Sequence, residues 1–175
     1  MKSRDIDVLI GRKDVWKLRG WLVGRGFTET SGEHLGKLGF RALRGDASID
    51  IDVYDSAIGP YRVEELLTHV VSRRLNGTLV RTLRSTELFV LKIVAAVDRR
   101  GSEKGAKDLS DLISLIDAVG SELDWQEIAR KVPVSSVRLI LRTALGDYRT
   151  TSKLFPLPMS RYRLLKRRVS AVGLI

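Results

Sequence analysis

Two short stretches of strict apolar–polar alternation, each carrying a pair of aspartates, constrain this chain more than any other feature. In the first, Ile6, Val8 and Ile10 alternate with Asp5, Asp7 and Leu9. A period of two is that of a strand, so one face is expected to be buried and the other to present Asp5 and Asp7 on the same side. The pattern returns from Ser48 to Tyr54, with Ile49, Ile51 and Val53 on one face and Asp50, Asp52 and Tyr54 on the other. Aspartate is a poor strand former, and four of them in two otherwise β-branched runs cost local propensity that a functional site accounts for. Like charges held close together repel and raise one another's pKa, so a cation belongs among them. In phosphoryl and nucleotidyl transfer that cation is a pair of Mg²⁺ ions, which bridge phosphate oxygens and stabilise the leaving group. One Asp-x-Asp is most often a solvated sheet face, but two such strands together shift the balance towards chemistry.

The rest of the chain punctuates itself. Gly11 ends the first strand, Asp14 is placed to cap a helix with the apolar stripe Val15, Leu18 and Leu22, and Gly24 and Gly26 close it. Residues 27–44 are expected to form two short strands around a turn near Gly32, and Gly45-Asp46 is the turn into the second acidic strand. Gly59-Pro60 breaks the chain, residues 63–74 read as a helix, and Thr78 to Leu83 as a short strand. Ser85 is placed to cap a strongly apolar helix through Val97 that ends in Arg99-Arg100, and Leu109 to Ile116 continue on helical spacing. Asp124 with Glu127 makes a capping box, Ser135 a cap for a helix through Leu145, and Tyr162 to Val169 a final basic helix. The expected fold is α/β (α+β): a small mixed sheet with flanking helices and a helical C-terminal part. Residues 1–120 are expected to be the core, and residues 121–175 a basic helical extension packed on it.

Composition narrows the chemistry. Cysteine is absent and the only histidines are His34 and His69, which have no partners at ligand spacing and are given no role. A metal must therefore be held by oxygen or imidazole, and with only two histidines a hard cation on carboxylates, Mg²⁺ or Mn²⁺, is the natural expectation. The net charge of +10 is uneven: residues 1–120 hold 20 basic and 17 acidic groups, residues 121–175 hold 11 and 4. Such asymmetry favours a polyanionic partner, RNA or DNA. One asparagine and one glutamine against 31 Lys and Arg point to a thermophilic source. No apolar run reaches the roughly 18 to 20 residues of a membrane helix. Acidic residues follow Met1-Lys2-Ser3-Arg4 where a secretory leader would be apolar, so no membrane contact and a cytoplasmic location are expected.

The segment Ser3-Arg4-Asp5-Ile6-Asp7-Val8-Leu9-Ile10 resembles the metal-binding strand of the polymerase-β-like nucleotidyltransferase superfamily. Ile51-Asp52-Val53-Tyr54-Asp55-Ser56, followed by Gly59, is similar to the third-carboxylate strand of its AbiEii-like branch, the nucleotidyltransferases of type IV toxin–antitoxin systems and related archaeal proteins. Leu91-Lys92, Ala95-Ala96, Asp98-Arg99-Arg100, Lys107-Asp108 and Asp111-Leu112 follow that branch's helical pattern. The resemblance implies Asp5, Asp7 and Asp52, rather than Asp50, as catalytic metal ligands. It also implies Ser3, Arg4, Lys92, Lys107 and Asp108 around a nucleoside triphosphate, and a cognate antitoxin protein as a partner. The superfamily's Gly-Gly or Gly-Ser phosphate-binding turn stands ten or more residues before the first aspartates, where this sequence has Met1 to Arg4.

Two further features bear on partners. Residues 126–142 have the cadence of a helix-turn-helix with Arg138 and Arg142 on the second helix, although a plain helical hairpin reads the same way. Arg161, Arg163, Lys166, Arg167 and Arg168 are candidates for a nucleic-acid backbone. No Gly-x-Gly-x-x-Gly or Walker run is present, which argues against Rossmann and P-loop sites. The reading that best joins these features is a Mg²⁺-dependent enzyme transferring a nucleotidyl group from a nucleoside triphosphate to RNA, protein or a small acceptor. Its rival is a non-catalytic nucleic-acid-binding or toxin–antitoxin regulatory protein with the same fold.

Overall fold

The computed structural model describes residues 5–30, 37–44 and 47–173. Two compact units emerge, Met1–Ser72 and Arg73–Ile175. This grouping differs from a boundary near residue 120, because the two helices before that point cluster with the C-terminal helices.

In the first unit, β1 (Asp5–Leu9), β2 (Thr28–Thr30), β3 (Lys37–Arg44) and β4 (Ala47–Tyr54) form one sheet of order β1-β4-β3-β2. β1 runs parallel to β4, and β3 is antiparallel to both of its neighbours. After a single 3₁₀ turn, α1 (Val15–Val23) crosses back, and this strand–helix–strand connection is what allows β1 and β4 to be parallel. Alternation does its expected work. Leu22, Phe40, Ile51 and Val53 are buried together, with Val8, Ile10, Leu18, Phe27, Leu38 and Ile49 packed around them. Each large side chain buried here stabilises by about 1.5–3 kcal/mol. The sheet face that does not join this core is the acidic one.

Asp14 does stand at the N-cap of α1, but its side chain accepts from Lys17 Nζ at 3.0 Å instead of capping the backbone. β3 is longer than expected, at eight residues, while Gly32 and the Gly45-Asp46 turn lie outside the described residues. A small hairpin, β5 (Ala57–Ile58) and β6 (Tyr61–Arg62), turns at Gly59, whose φ of 55° is left-handed. α2 (Val63–Thr68) follows.

The helix expected over residues 63–74 stops at Thr68, and β7 (Val70–Leu75) pairs with β8 (Thr78–Leu83). The reason is local: Asn76 (φ 48°) and Gly77 (φ 82°) both adopt the left-handed conformation that a two-residue hairpin turn requires. Val70 and Val71, being β-branched, also favour a strand.

Beyond β8 the second unit is helical: α3 (Ser85–Asp98), α4 (Glu103–Val119), α5 (Trp125–Lys131), α6 (Val134–Leu145), α7 (Tyr148–Leu154) and α8 (Met159–Ala171). Phe89, Ile93, Leu112, Ile116, Ile140, Leu141 and Leu165 are fully buried, on the i, i+3, i+4 spacing of amphipathic helices. Asp124 caps α5 by accepting from the Glu127 N–H at 2.9 Å. Ser85 and Ser135 do not cap. They lie inside α3 and α6, which start from Arg84 and Pro133 respectively. Pro133 costs nothing there, since the first turn of a helix has no partner for an N–H.

Candidate functional site

The register of the acidic strands decides which aspartates meet. Asp7 is the Cα partner of Asp52 and Asp5 of Asp50, so the four carboxylates form two rows on one face of the parallel pair. Neighbouring strands are about 4.8 Å apart, which brings each row within reach of a shared cation. On the other side of β4, Arg41 stands opposite Asp50 and Gly39 opposite Asp52. Arg41 Nε donates to Asp50 Oδ1 at 2.5 Å, and Lys37 Nζ lies 2.5 Å from Asp52 Oδ2. The face therefore reads acid, acid, base across β1, β4 and β3. Sequence reasoning missed Lys37 and Arg41, although their alternation with the apolar Leu38, Phe40 and Ala42 places them on the open face.

Not every expected site residue joins this group. Ser3 and Arg4 lie outside the described residues. Asp5 and Asp7 are exposed, and Asp52 keeps 30% side-chain exposure. Among the described residues, no three His, Asp or Glu side chains stand together closely enough to hold a metal by themselves. Asp7 and Asp52 share a register position, Asp5 is beside Asp50 instead, and Asp52 is turned to Lys37.

In the helical unit, Lys92, Asp108 and Asp111 converge between α3 and α4. Lys92 Nζ is 2.6 Å from Asp111 Oδ2 and 3.4 Å from Asp108 Oδ1, and Arg99 Nη1 is 3.3 Å from Asp108 Oδ2. Asp108 is buried, at 3% exposure. Burial pulls the Lys92 pKa down, but its hydrogen bond to Asp111 and the charges of Asp111 and Asp108 outweigh that, and it lies above the ordinary lysine value. This is a charged seam that pins two helices. Lys107 is exposed on α4.

The basic residues of α8 divide. Arg163, Lys166 and Arg167 follow the i, i+3, i+4 spacing of one helix face and, with Ser170 and Ala171, line an open depression. Arg161 and Arg168 are on another side, and Arg161 is paired with Asp117. α6 packs one face against α3, α4, α7 and α8, while Arg138 and Arg142 on it are exposed.

One solved structure shares this arrangement of elements. It is titled an antigenic nucleotidyltransferase-like protein, from Paracoccidioides brasiliensis, and it aligns over 87% of this chain and 74% of its own with a TM-score of 0.54 and 20% identity. The fold is nucleotidyltransferase-like. At that identity the likeness speaks for the fold alone. No protein-family model and no curated protein matches the sequence. Among the described residues, no helix is long and apolar enough to cross a membrane.

Proposed function

We propose that the chain is a Mg²⁺- or Mn²⁺-dependent nucleotidyltransferase, with Asp7 and Asp52 holding the cation and Asp5 supporting them. The observation that carries this reading is the shared register of Asp7 and Asp52 on one face of a parallel strand pair. An all-oxygen donor set suits a hard cation, and Mg²⁺ characteristically takes one or two carboxylates and leaves its other positions to water and substrate phosphates. Bound there, the metal would supply charge neutralisation at the phosphates and a lowered pKa for an acceptor hydroxyl. Asp7 and Asp52 would orient it, and a carboxylate oxygen of Asp52 would take the acceptor's proton.

The order of motifs through Asp111 favours the AbiEii-like branch, and with it a cognate antitoxin as partner. Replacing Asp7 by Asn should abolish Mg²⁺-dependent labelling from α-³²P nucleotides and leave thermal unfolding unchanged or raised. Labelling that persists in this variant sinks the assignment.

A second reading draws on the exposed Arg163, Lys166 and Arg167 face: a nucleic acid bound through its backbone, either as acceptor or in place of catalysis. Neutralising all three should reduce the slope of log affinity against log salt by about 2 to 3 for duplex nucleic acid. An unchanged slope removes that surface from consideration.

A further inference from the structure

On β3, Lys37 and Arg41 are each committed to a carboxylate of β4, but the two pairs are not equivalent. Arg41 stands directly opposite Asp50. Lys37 stands opposite Tyr54 and reaches diagonally to Asp52, whose own register partner is Gly39. Gly39 carries no side chain, and a Cβ there would come within 2.4 Å of Thr30 Oγ1. Lys37 thus sits on the carboxylate that faces Asp7, its side chain 38% exposed and its ammonium 5.8 Å from the Tyr54 ring centroid.

We propose that Lys37 is a resident counter-cation of the Asp7–Asp52 pair, displaced when a divalent cation binds there and then taking up the polyphosphate of the nucleotide carried by that cation. This rests on the metal-dependent reading above. An ammonium and a dication cannot share Asp52 without strong repulsion. A partly exposed lysine–carboxylate pair is weak, and the flexible four-carbon stem lets the ammonium move without disturbing β3. Once released, it faces phosphate oxygens that complete the shell of the metal. Arg41, in direct register with Asp50 and joined to it through a planar guanidinium, stays in place. This contrast assigns metal binding to Asp52 and leaves Asp50 a fixed ion-pair partner.

Lys37→Met and, as a second variant, Lys37→Gln should have opposite effects on two ligands. Mn²⁺ alone, titrated by the electron paramagnetic resonance of the unbound ion, should bind about tenfold tighter than to the parent chain, because the competitor is gone. With Mn²⁺ saturating, α,β-methylene ATP should bind about tenfold more weakly, because a charge-assisted contact to phosphate is lost. Lys17→Met, which removes the same charge beside α1, should change neither. If Mn²⁺ affinity is the same in the parent and both Lys37 variants, yet is lost in Asp52→Asn, the counter-cation role is overturned and the metal site stands. If neither the parent nor the Lys37 variants bind Mn²⁺, or if Asp7→Asn and Asp52→Asn bind it as tightly as the parent, the metal site itself fails and this role goes with it.

Discussion

Neutralising Asp108 separates a buried charge from an exposed one within a single cluster. Asp108 is 3% exposed and contacts Lys92 at 3.4 Å and Arg99 at 3.3 Å. Asp111 takes the same Lys92 ammonium at 2.6 Å, but its side chain is 38% exposed. At an effective dielectric of about 20, each Asp108 contact attracts by about 5 kcal/mol, most of which offsets the cost of withdrawing the ions from water. What Asp108→Asn leaves behind is a half-buried ammonium with one partner fewer, and the expected loss of stability is about 3 kcal/mol. Asp111→Asn breaks the shorter contact in a wetter place and should cost about 1 kcal/mol or less. Distance alone predicts the reverse ranking, so the comparison is decisive.

The assay is urea unfolding of the full chain with Trp16 and Trp21 replaced by Phe. Fluorescence then reports on Trp125, which meets the Phe89 ring edge-on at 5.5 Å within the helical unit. Both replaced tryptophans are exposed, at 69% and 52%, so their loss should be tolerated. Equal losses, or a larger one for Asp111→Asn, would refute burial as the source of the cluster's strength.

The same cluster sets an alkaline limit. Because the folded-state pKa of Lys92 is raised, its contribution is complete below the ordinary lysine value of 10.5 and is lost as pH climbs through the raised one, so the urea midpoint should fall above pH 10.5, and less so in Lys92→Met. Gly105→Ala should destabilise by about 1–3 kcal/mol in urea unfolding despite the better helix propensity of alanine, since a Cβ there would lie 2.2 Å from the Arg99 carbonyl oxygen. Gly77→Ala should cost about 1 kcal/mol by the same assay, because its φ of 82° opposes an L side chain while no atom crowds the Cβ position.

The parts of the fold written in short-range periodicity were legible. Alternation around Asp5–Asp7 and Asp50–Asp52 correctly separated the buried face from the acidic one, and the i, i+3, i+4 spacing marked the helical unit. The helix expected over residues 63–74 failed because Val63, Leu66, Leu67 and Val70 satisfy a helical stripe, while the decisive signal was the Asn76-Gly77 turn beyond them. Lys37 and Arg41 were hidden for a different reason. Their partners depend on the β3–β4 register, a non-local property that places Gly39 and not Lys37 opposite Asp52. Lys92, Arg99, Asp108 and Asp111 appeared as a motif, but spacing along two helices does not say whether acids and bases face a ligand or one another. The structure joins those four to each other.

Among the described residues, β1 is a terminal strand of its sheet, paired with β4 on one side. A terminal strand is a template for adding another chain, and the apolar Ile6 on it is 50% exposed. Asp5 and Asp7 sit on this rim, where their charge opposes the addition of a second chain whatever else they bind. Neutralisation tests of the site should therefore use Asn and not an apolar residue. An Asp5→Val, Asp7→Val chain would join Val, Ile and Leu into one uncharged β-former run and invite self-assembly, which would mimic the loss of the proposed metal binding.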